Sequence, residues 1–271
     1  MKIKFLGTGG GRFVMISQKR RTGGMVFYDS RANDDLHLYV DPGPGALVYS
    51  LQEGIALNKL DGLIVTHAHL DHSNDAEAII EAMTHGCKNE RGVLIANSTV
   101  LNGVEVAEED YTQVISEYHQ NAVERIIEMK EGRPVELKGR TMQFLRTKHG
   151  DPNTMAFKIA SEKTIGFITD TELFDNLLTF FSDSDYLVIN VLRPLSKKWQ
   201  GHLNVEDAAE IINAIEPTMA ILQHFGYNML YSSLEKQRNF LEEKTKGDTE
   251  ITFAKDFQTV DFEGKGLEKF M

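Results

Sequence analysis

His67, His69, Asp71 and His72 crowd into one short stretch, GLIVTHAHLDHSN, and have the residue types to hold metal ions. They end an apolar run, Leu63, Ile64 and Val65, and precede Ser73 and Asn74, which read as candidate caps of a following helix. Side chains two apart on an extended chain leave on the same side, so the imidazoles of His67 and His69 can reach one ion. Asp71 and His72 fall where the chain must turn, and can address a second ion beside the first. A chance cluster of capping and surface residues would account for one histidine far more easily than for this set.

More residues of the same type follow where apolar runs stop. His149 lies in the loop KHGDPN, Asp170 directly after GFIT, and His224 after ILQ. Earlier in the chain, Asp41 precedes Pro42 and Gly43, where an aspartate usually starts a turn. The elements that must carry these side chains are legible as alternation and apolar runs. Strands are expected at Lys2–Leu6, Met25–Tyr28, Leu36–Val40, Gly62–Thr66, Gly92–Ala96, Val135–Leu137, Thr141–Arg146, Met155–Ala160 and Thr164–Thr169. Further strands follow at Asp185–Asn190, Met219–Leu222, Glu250–Phe253 and Thr259–Phe262. Helices are expected over Pro44–Gly54, Asp75–Thr84, the segment from Asn204 to Pro217 and Leu230–Lys246. Tyr111, Val114, Ile115, Tyr118, Val123, Ile126 and Ile127 recur at helical spacing, which predicts one amphipathic helix there. His85 and His119 read as structural or surface residues. Gly7 to Gly11, with Arg12, Lys19, Arg20 and Arg21 after them, form either a phosphate cradle or a solvated loop.

THAHLDH matches the H-x-H-x-D-H signature of the metallo-β-lactamase superfamily. LGTGGG after the first strand, and GHLNVEDAAEII followed by ILQHFG, resemble the ribonuclease Z and PhnP-like branches. This resemblance implies an α/β fold, a four-layer αββα sandwich with metals where strand ends converge. It implies that His67, His69 and His149 hold one metal, that Asp71, His72 and His224 hold the second, and that Asp170 bridges them. Asp41 would orient a metal-bound histidine from behind. Two divalent ions are expected, Zn²⁺ first, with Mn²⁺ or Fe²⁺ also suited to nitrogen and carboxylate ligands.

Two such ions roughly 3.5 to 4 Å apart share a hydroxide, so the implied chemistry is metal-dependent hydrolysis. Asp71 is the expected group to orient and deprotonate that water, and His202 the expected donor to the leaving oxygen or ligand of the phosphoryl group. The His149-to-Asp170 interval is too short for the transfer-RNA exosite arm usual in ribonuclease Z. The preferred substrate is therefore a small or cyclic phosphodiester, with an arm-less ribonuclease Z-like nuclease and a thioester or lactone hydrolase as alternatives. A dinuclear iron redox protein fits less well, because that branch has a carboxylate at the position of His69.

Composition sets outer limits. The chain has 271 residues, 41% of them hydrophobic, no linker-like stretch and no fixed-period repeat, so one domain over 1–271 is expected. A net charge of −11 works against indiscriminate binding to nucleic acid or anionic membranes. No apolar run approaches the roughly 20 residues of a membrane span, and a cytoplasmic protein is expected. Cys87, the single cysteine, rules out an intramolecular disulfide and a thiolate-rich zinc site. A homodimer is compatible with the resemblance.

Overall fold

The computed structural model of the chain describes residues 1–30, 34–106 and 110–262. Alternating apolar positions make β1 (Lys2–Gly7), β2 (Thr22–Asp29) and β3 (Leu36–Val40), while near-continuous apolar runs make β4 (Gly62–Val65) and β5 (Val93–Ala96), as expected of parallel strands covered on both faces. With β6 (Arg125–Glu128) these form one sheet. The second contains β7 (Val135–Leu137), β8 (Arg140–Arg146), β9 (Met155–Ala160), β10 (Thr164–Ile168), β11 (Tyr186–Asn190), β12 (Met219–Gln223) and β13 (Glu250–Phe253). Finally β14 (Thr259–Asp261) returns to the first sheet, giving the orders β14-β1-β2-β3-β4-β5-β6 and β13-β12-β11-β10-β9-β8-β7.

The sheets pack face to face. One buried cluster joins Phe5, Phe27, Leu38 and Ile64 of the first to Phe144, Phe157, Phe167 and Val188 of the second, and the Phe27 and Phe167 rings meet edge to face at 5.9 Å. Two further clusters lie on the outer faces. One packs the helix Ala76–Met83 onto the first sheet through Ile79, Ile80 and Met83; the other packs the helix Val205–Ile215 onto the second through Ala208, Ile211 and Ile212. The result is helix, sheet, sheet, helix. In each sheet four neighbouring strands run parallel, β3 to β6 and β10 to β13, so their carboxyl ends share one edge of their sheet.

Three local expectations are corrected. The segment 111–127 is not one helix: Glu117–Gln120 makes a single turn, and Arg125–Glu128 pairs in parallel with β5. The β-branched Ile126 and Ile127 satisfy the open edge of β5, and that pairing overrides the helical spacing. Neither Ser73 nor Asn74 caps a helix. A short helix, Leu70–Ser73, already begins within the histidine motif with His69 at its N-cap, and Asp75 precedes the next. The last long helix spans Leu234–Lys244 and is preceded by a separate turn, Tyr227–Leu230. The connection between β2 and β3 includes residues 31–33, which lie outside the described residues.

Candidate metal centre

The apolar run of β4 buries its strand and delivers Thr66 and His67 to the edge where parallel strands end. Asp41, just after β3, fixes this exit. Its carboxylate accepts hydrogen bonds from the Thr66 backbone N–H at 2.8 Å and the Thr66 hydroxyl at 2.7 Å, and its Oδ2 lies 2.9 Å from Nδ1 of His72. Asp170 follows β10, and His224 follows β12. Asp41 and His224 both hold left-handed backbone, with φ of 50° and 63°, a strained conformation sustained where the surroundings fix it.

All seven ligand-type residues named from sequence meet at this edge. Nε2 of His149 is 2.9 Å from Nδ1 of His69, and Nε2 of His72 is 2.9 Å from Nε2 of His224. Asp71 Oδ2 lies 3.3 Å from His224 Nε2 and 3.7 Å from His72 Nε2. Asp170 is central: its Oδ2 is 3.6 Å from His72 Nε2, 3.8 Å from His149 Nε2 and 4.0 Å from His67 Nε2, and its Oδ1 is 3.3 Å from His224 Nδ1. Ligand atoms of His67, His69 and His149 gather in one group, and those of Asp71, His72 and His224 in another.

The donor chemistry fits divalent ions. Nε2 of His67 is buried without a hydrogen-bond partner, a costly arrangement that a cation would relieve. Behind the site, His149 Nδ1 donates to the Gly201 carbonyl at 2.8 Å and His72 Nδ1 faces Asp41, so the Nε2 lone pair of each ring points inward. Burial holds His67 well below its ordinary pKa and lowers His69 to about 4 and His149 less far, leaving these rings neutral as ligands must be. His72 behaves oppositely: burial disfavours its charge, but the carboxylates of Asp71 and Asp170 raise it well above the usual value. For the two aspartates, burial opposes ionisation, yet the surrounding imidazoles outweigh it and hold both carboxyls well below the carboxylate range.

His202 sits over this cluster. Its Nδ1 is 3.5 Å from Asp170 Oδ2, and its ring stands edge-on to His149 at 4.8 Å. Burial lowers its pKa against the pull of Asp170, so the ring is neutral at pH 7.

The family follows from a comparison with known proteins. Residues 37–225 match the family model described as a Beta-lactamase superfamily domain, spanning every ligand-type residue above. The chain belongs to the metallo-β-lactamase superfamily. It is 34% identical over 240 residues to an uncharacterized protein of Methanocaldococcus jannaschii, covering 88% of this chain and 87% of that one. Among solved structures it resembles the metallo-β-lactamase fold protein YhfI of Bacillus subtilis, with TM-score 0.74, 19% identity, and 96% and 98% of the two chains covered. It also resembles a diphosphatase of the PhnP family, with TM-score 0.65, 18% identity, and 96% and 97% covered. The αββα sandwich expected from the signature is the observed fold, and the chain is a metal-dependent hydrolase by family.

Within that superfamily site, the glycine-rich stretch is a wall and no amide cradle. Gly9 and Gly10 N–H groups donate to the carbonyls of Arg21 and Phe225, and Gly11 N–H donates to Asp71 Oδ2 at 2.6 Å. A Cβ on Gly10 would lie 2.3 Å from ring atoms of His224, so glycine is required by close approach. The cations beside it serve packing. Arg20 donates to Thr8 and the Ala254 carbonyl, and Arg20, Arg21 and Lys19 lie over the rings of Phe225, Tyr49 and Tyr231.

Several residues of the superfamily site were not anticipated. Asp151, fully buried, accepts from Ala68 N–H, the Asn97 amide, the Thr99 hydroxyl and Asn153 N–H, tying the loop after His149 to the residue between His67 and His69. Asn190, the last residue of β11, donates to Asp170 and accepts from Gln223 at the end of β12. Polar residues closing otherwise apolar strands were the available signal. A cavity of about 510 Å³, lined by Lys148, His149, Glu172, Trp199, Gln200 and Gly201, opens beside His149. Among the described residues no helix is long and apolar enough to cross a membrane.

Proposed function

We propose that this metallo-hydrolase is a dinuclear phosphodiesterase acting on a small or cyclic phosphodiester. The observation that carries this reading is His202, whose imidazole is set 3.5 Å from the central carboxylate of Asp170; its ring nitrogen gathers with His149 and Asp170, and it belongs to neither of the two groups of three assigned to the metals. His67, His69 and His149 would hold one divalent ion, and Asp71, His72 and His224 the other, with Asp170 between them. Zn²⁺ is preferred. When bound, such a pair acidifies water toward neutral pH and stabilises negative charge on the phosphoryl oxygens.

The chain's own groups do the rest. Asp71, ionised at neutral pH and held by the Gly11 N–H, orients the attacking water and accepts its proton. His202, neutral at pH 7, offers an N–H to the phosphoryl or departing oxygen. Its backbone is fixed by His202 N–H donating to Trp199 O, and Gly201 N–H donating to Glu172. The adjoining cavity is within the range of small-molecule sites, roughly 300–1,000 Å³, and Lys148 in its lining carries charge of the sign a phosphate needs.

The decisive experiment presents metal-loaded protein with an activated phosphodiester and with thioester and lactone panels. Turnover of the phosphodiester is expected, whereas turnover of the carboxylic compounds alone would replace this reading. Asp71→Ala should lose most hydrolysis even where metal is retained. His202→Ala should lower kcat by about 10²–10³-fold, the usual cost of losing one positioned hydrogen-bond donor to developing charge, with the metal content unchanged.

A further inference from the structure

A second gathering of ligand-type side chains lies away from the centre, on the outer face of the first sheet. Glu77 and Glu81 stand one turn apart on the helix Ala76–Met83. After this helix His85, Gly86 and Cys87 are all left-handed, with φ of 58°, 70° and 55°, and Cys87 N–H donates to the Thr84 hydroxyl. That turn folds the thiol back toward Glu81. His119 arrives from the single helical turn between β5 and β6, with its Nδ1 3.0 Å from Glu77 Oε1 and its Nε2 3.2 Å from Glu81 Oε1. A carboxylate oxygen of Glu81, the sulfur of Cys87 and a ring nitrogen of His119 lie within 4.8 Å of one another.

An ion pair would explain His119 with its glutamates, and Tyr118 shares a side-chain hydrogen bond with Cys87, but neither pairing accounts for sulfur, imidazole and carboxylate converging on one point. A thiolate, an imidazole and a carboxylate from three segments form a set that suits Zn²⁺. Glu77 takes the place behind the histidine that orients metal-bound rings, and is itself fixed by the Ser116 N–H at 2.8 Å. We propose that Glu81, Cys87 and His119 form a third metal site, for zinc or another thiolate-accepting divalent ion, with water completing the coordination. Such an ion would pin the excursion between β5 and β6 to the helix that follows the histidine motif. The same excursion carries Tyr111, whose hydroxyl is 3.5 Å from Nε2 of His69, so the clamp bears on a wall of the centre.

The test uses cobalt. Cys87 is the only cysteine and no residue of the metal centre contains sulfur, so a thiolate-to-Co²⁺ charge-transfer band in the near ultraviolet reports this site alone. The band is expected in the Co²⁺-loaded full chain and should vanish in Cys87→Ser, while the visible absorbance of cobalt bound by histidine and carboxylate remains. In His119→Ala, which keeps the thiol, the Co²⁺ concentration needed to reach half the band should rise by about tenfold or more. Zinc should also slow alkylation of Cys87 in the native protein. A saturated protein with no band, a band indifferent to His119→Ala, or an alkylation rate unaffected by zinc would each overturn the proposal. None of these readouts requires turnover, so failure of the phosphodiesterase reading is separately visible.

Discussion

One methyl group measures how closely the metal centre is closed. Gly10→Ala would place a carbon on the ring of His224, so this variant should retain one ion fewer per chain after dialysis while keeping its fold by circular dichroism. Asp151→Asn changes few atoms but replaces one of two oxygens that each accept two hydrogen bonds, so two of the four donors lose their acceptor. One unsatisfied buried donor costs about 1–3 kcal/mol, measurable as a lower midpoint in urea. The metal affinity of the His67, His69 and His149 group should fall with it, because Ala68 is anchored through the same carboxylate. For His69 the sign of the pH dependence follows from burial. Its folded pKa of about 4 lies below the ordinary 6.5, so the unfolded chain binds more protons between those values. The stability contributed by neutral His69 is fully present above about pH 6.5 and is lost as pH falls toward 4. In metal-free protein, thermal denaturation across that window should show a declining Tm, and a flat profile would contradict the assignment.

Among the elements, the helix Val205–Ile215 has the clearest local code. Asn204 accepts from Asp207 N–H while Asp207 accepts from Asn204 N–H, a reciprocal cap two residues beyond His202. Asn204→Ala should cost about 1 kcal/mol, read by denaturant titration, and should lower kcat more than a remote change of equal stability, because His202 shares that entry. That cap was legible in sequence because it depends on neighbours three apart. Apart from β6, the strands were legible from alternation and apolar runs, and the ligand-type positions stood out as residues of different chemistry at or just after strand ends. Residues 111–127 misled because helical spacing does not record that β5 lacks a partner, which β6 supplies. The roles of Asp151, Asn190 and Gln223 were illegible for a related reason: most of their partners come from segments far away in the chain. The cations after Gly11 are compatible in sequence with either a phosphate cradle or a solvated loop, and the aromatic rings under three of them, which give them a packing role, come from distant segments.

Across the molecule, the two sheets are also joined by a charge pair at the edge of their shared core. Arg140 of β8, fully buried, donates to the carboxylate and the backbone carbonyl of Asp29 at the end of β2, both at 2.8 Å, and Ser161 donates to the same carboxylate. Arg140→Met would remove both of these hydrogen bonds to Asp29, one of them to its charged group, at a cost of about 1.5–3 kcal/mol, and pairing it with Asp29→Leu should recover part of the loss. Equilibrium unfolding of the two variants separates these outcomes. The return of β14 to β1 has a consequence for biosynthesis. Lys2 pairs with Asp261, Ile3 with Val260 and Lys4 with Thr259, and Asp256 holds both Thr8 and Arg21 beside the glycine wall. A ribosome therefore releases β1 long before its neighbour β14 exists, and that edge of β1 stays open to other chains until residue 261 emerges. Translation that stops short of β14 should yield a polypeptide with every ligand-type residue present, an unsealed sheet, and a tendency to be captured by chaperones or to aggregate.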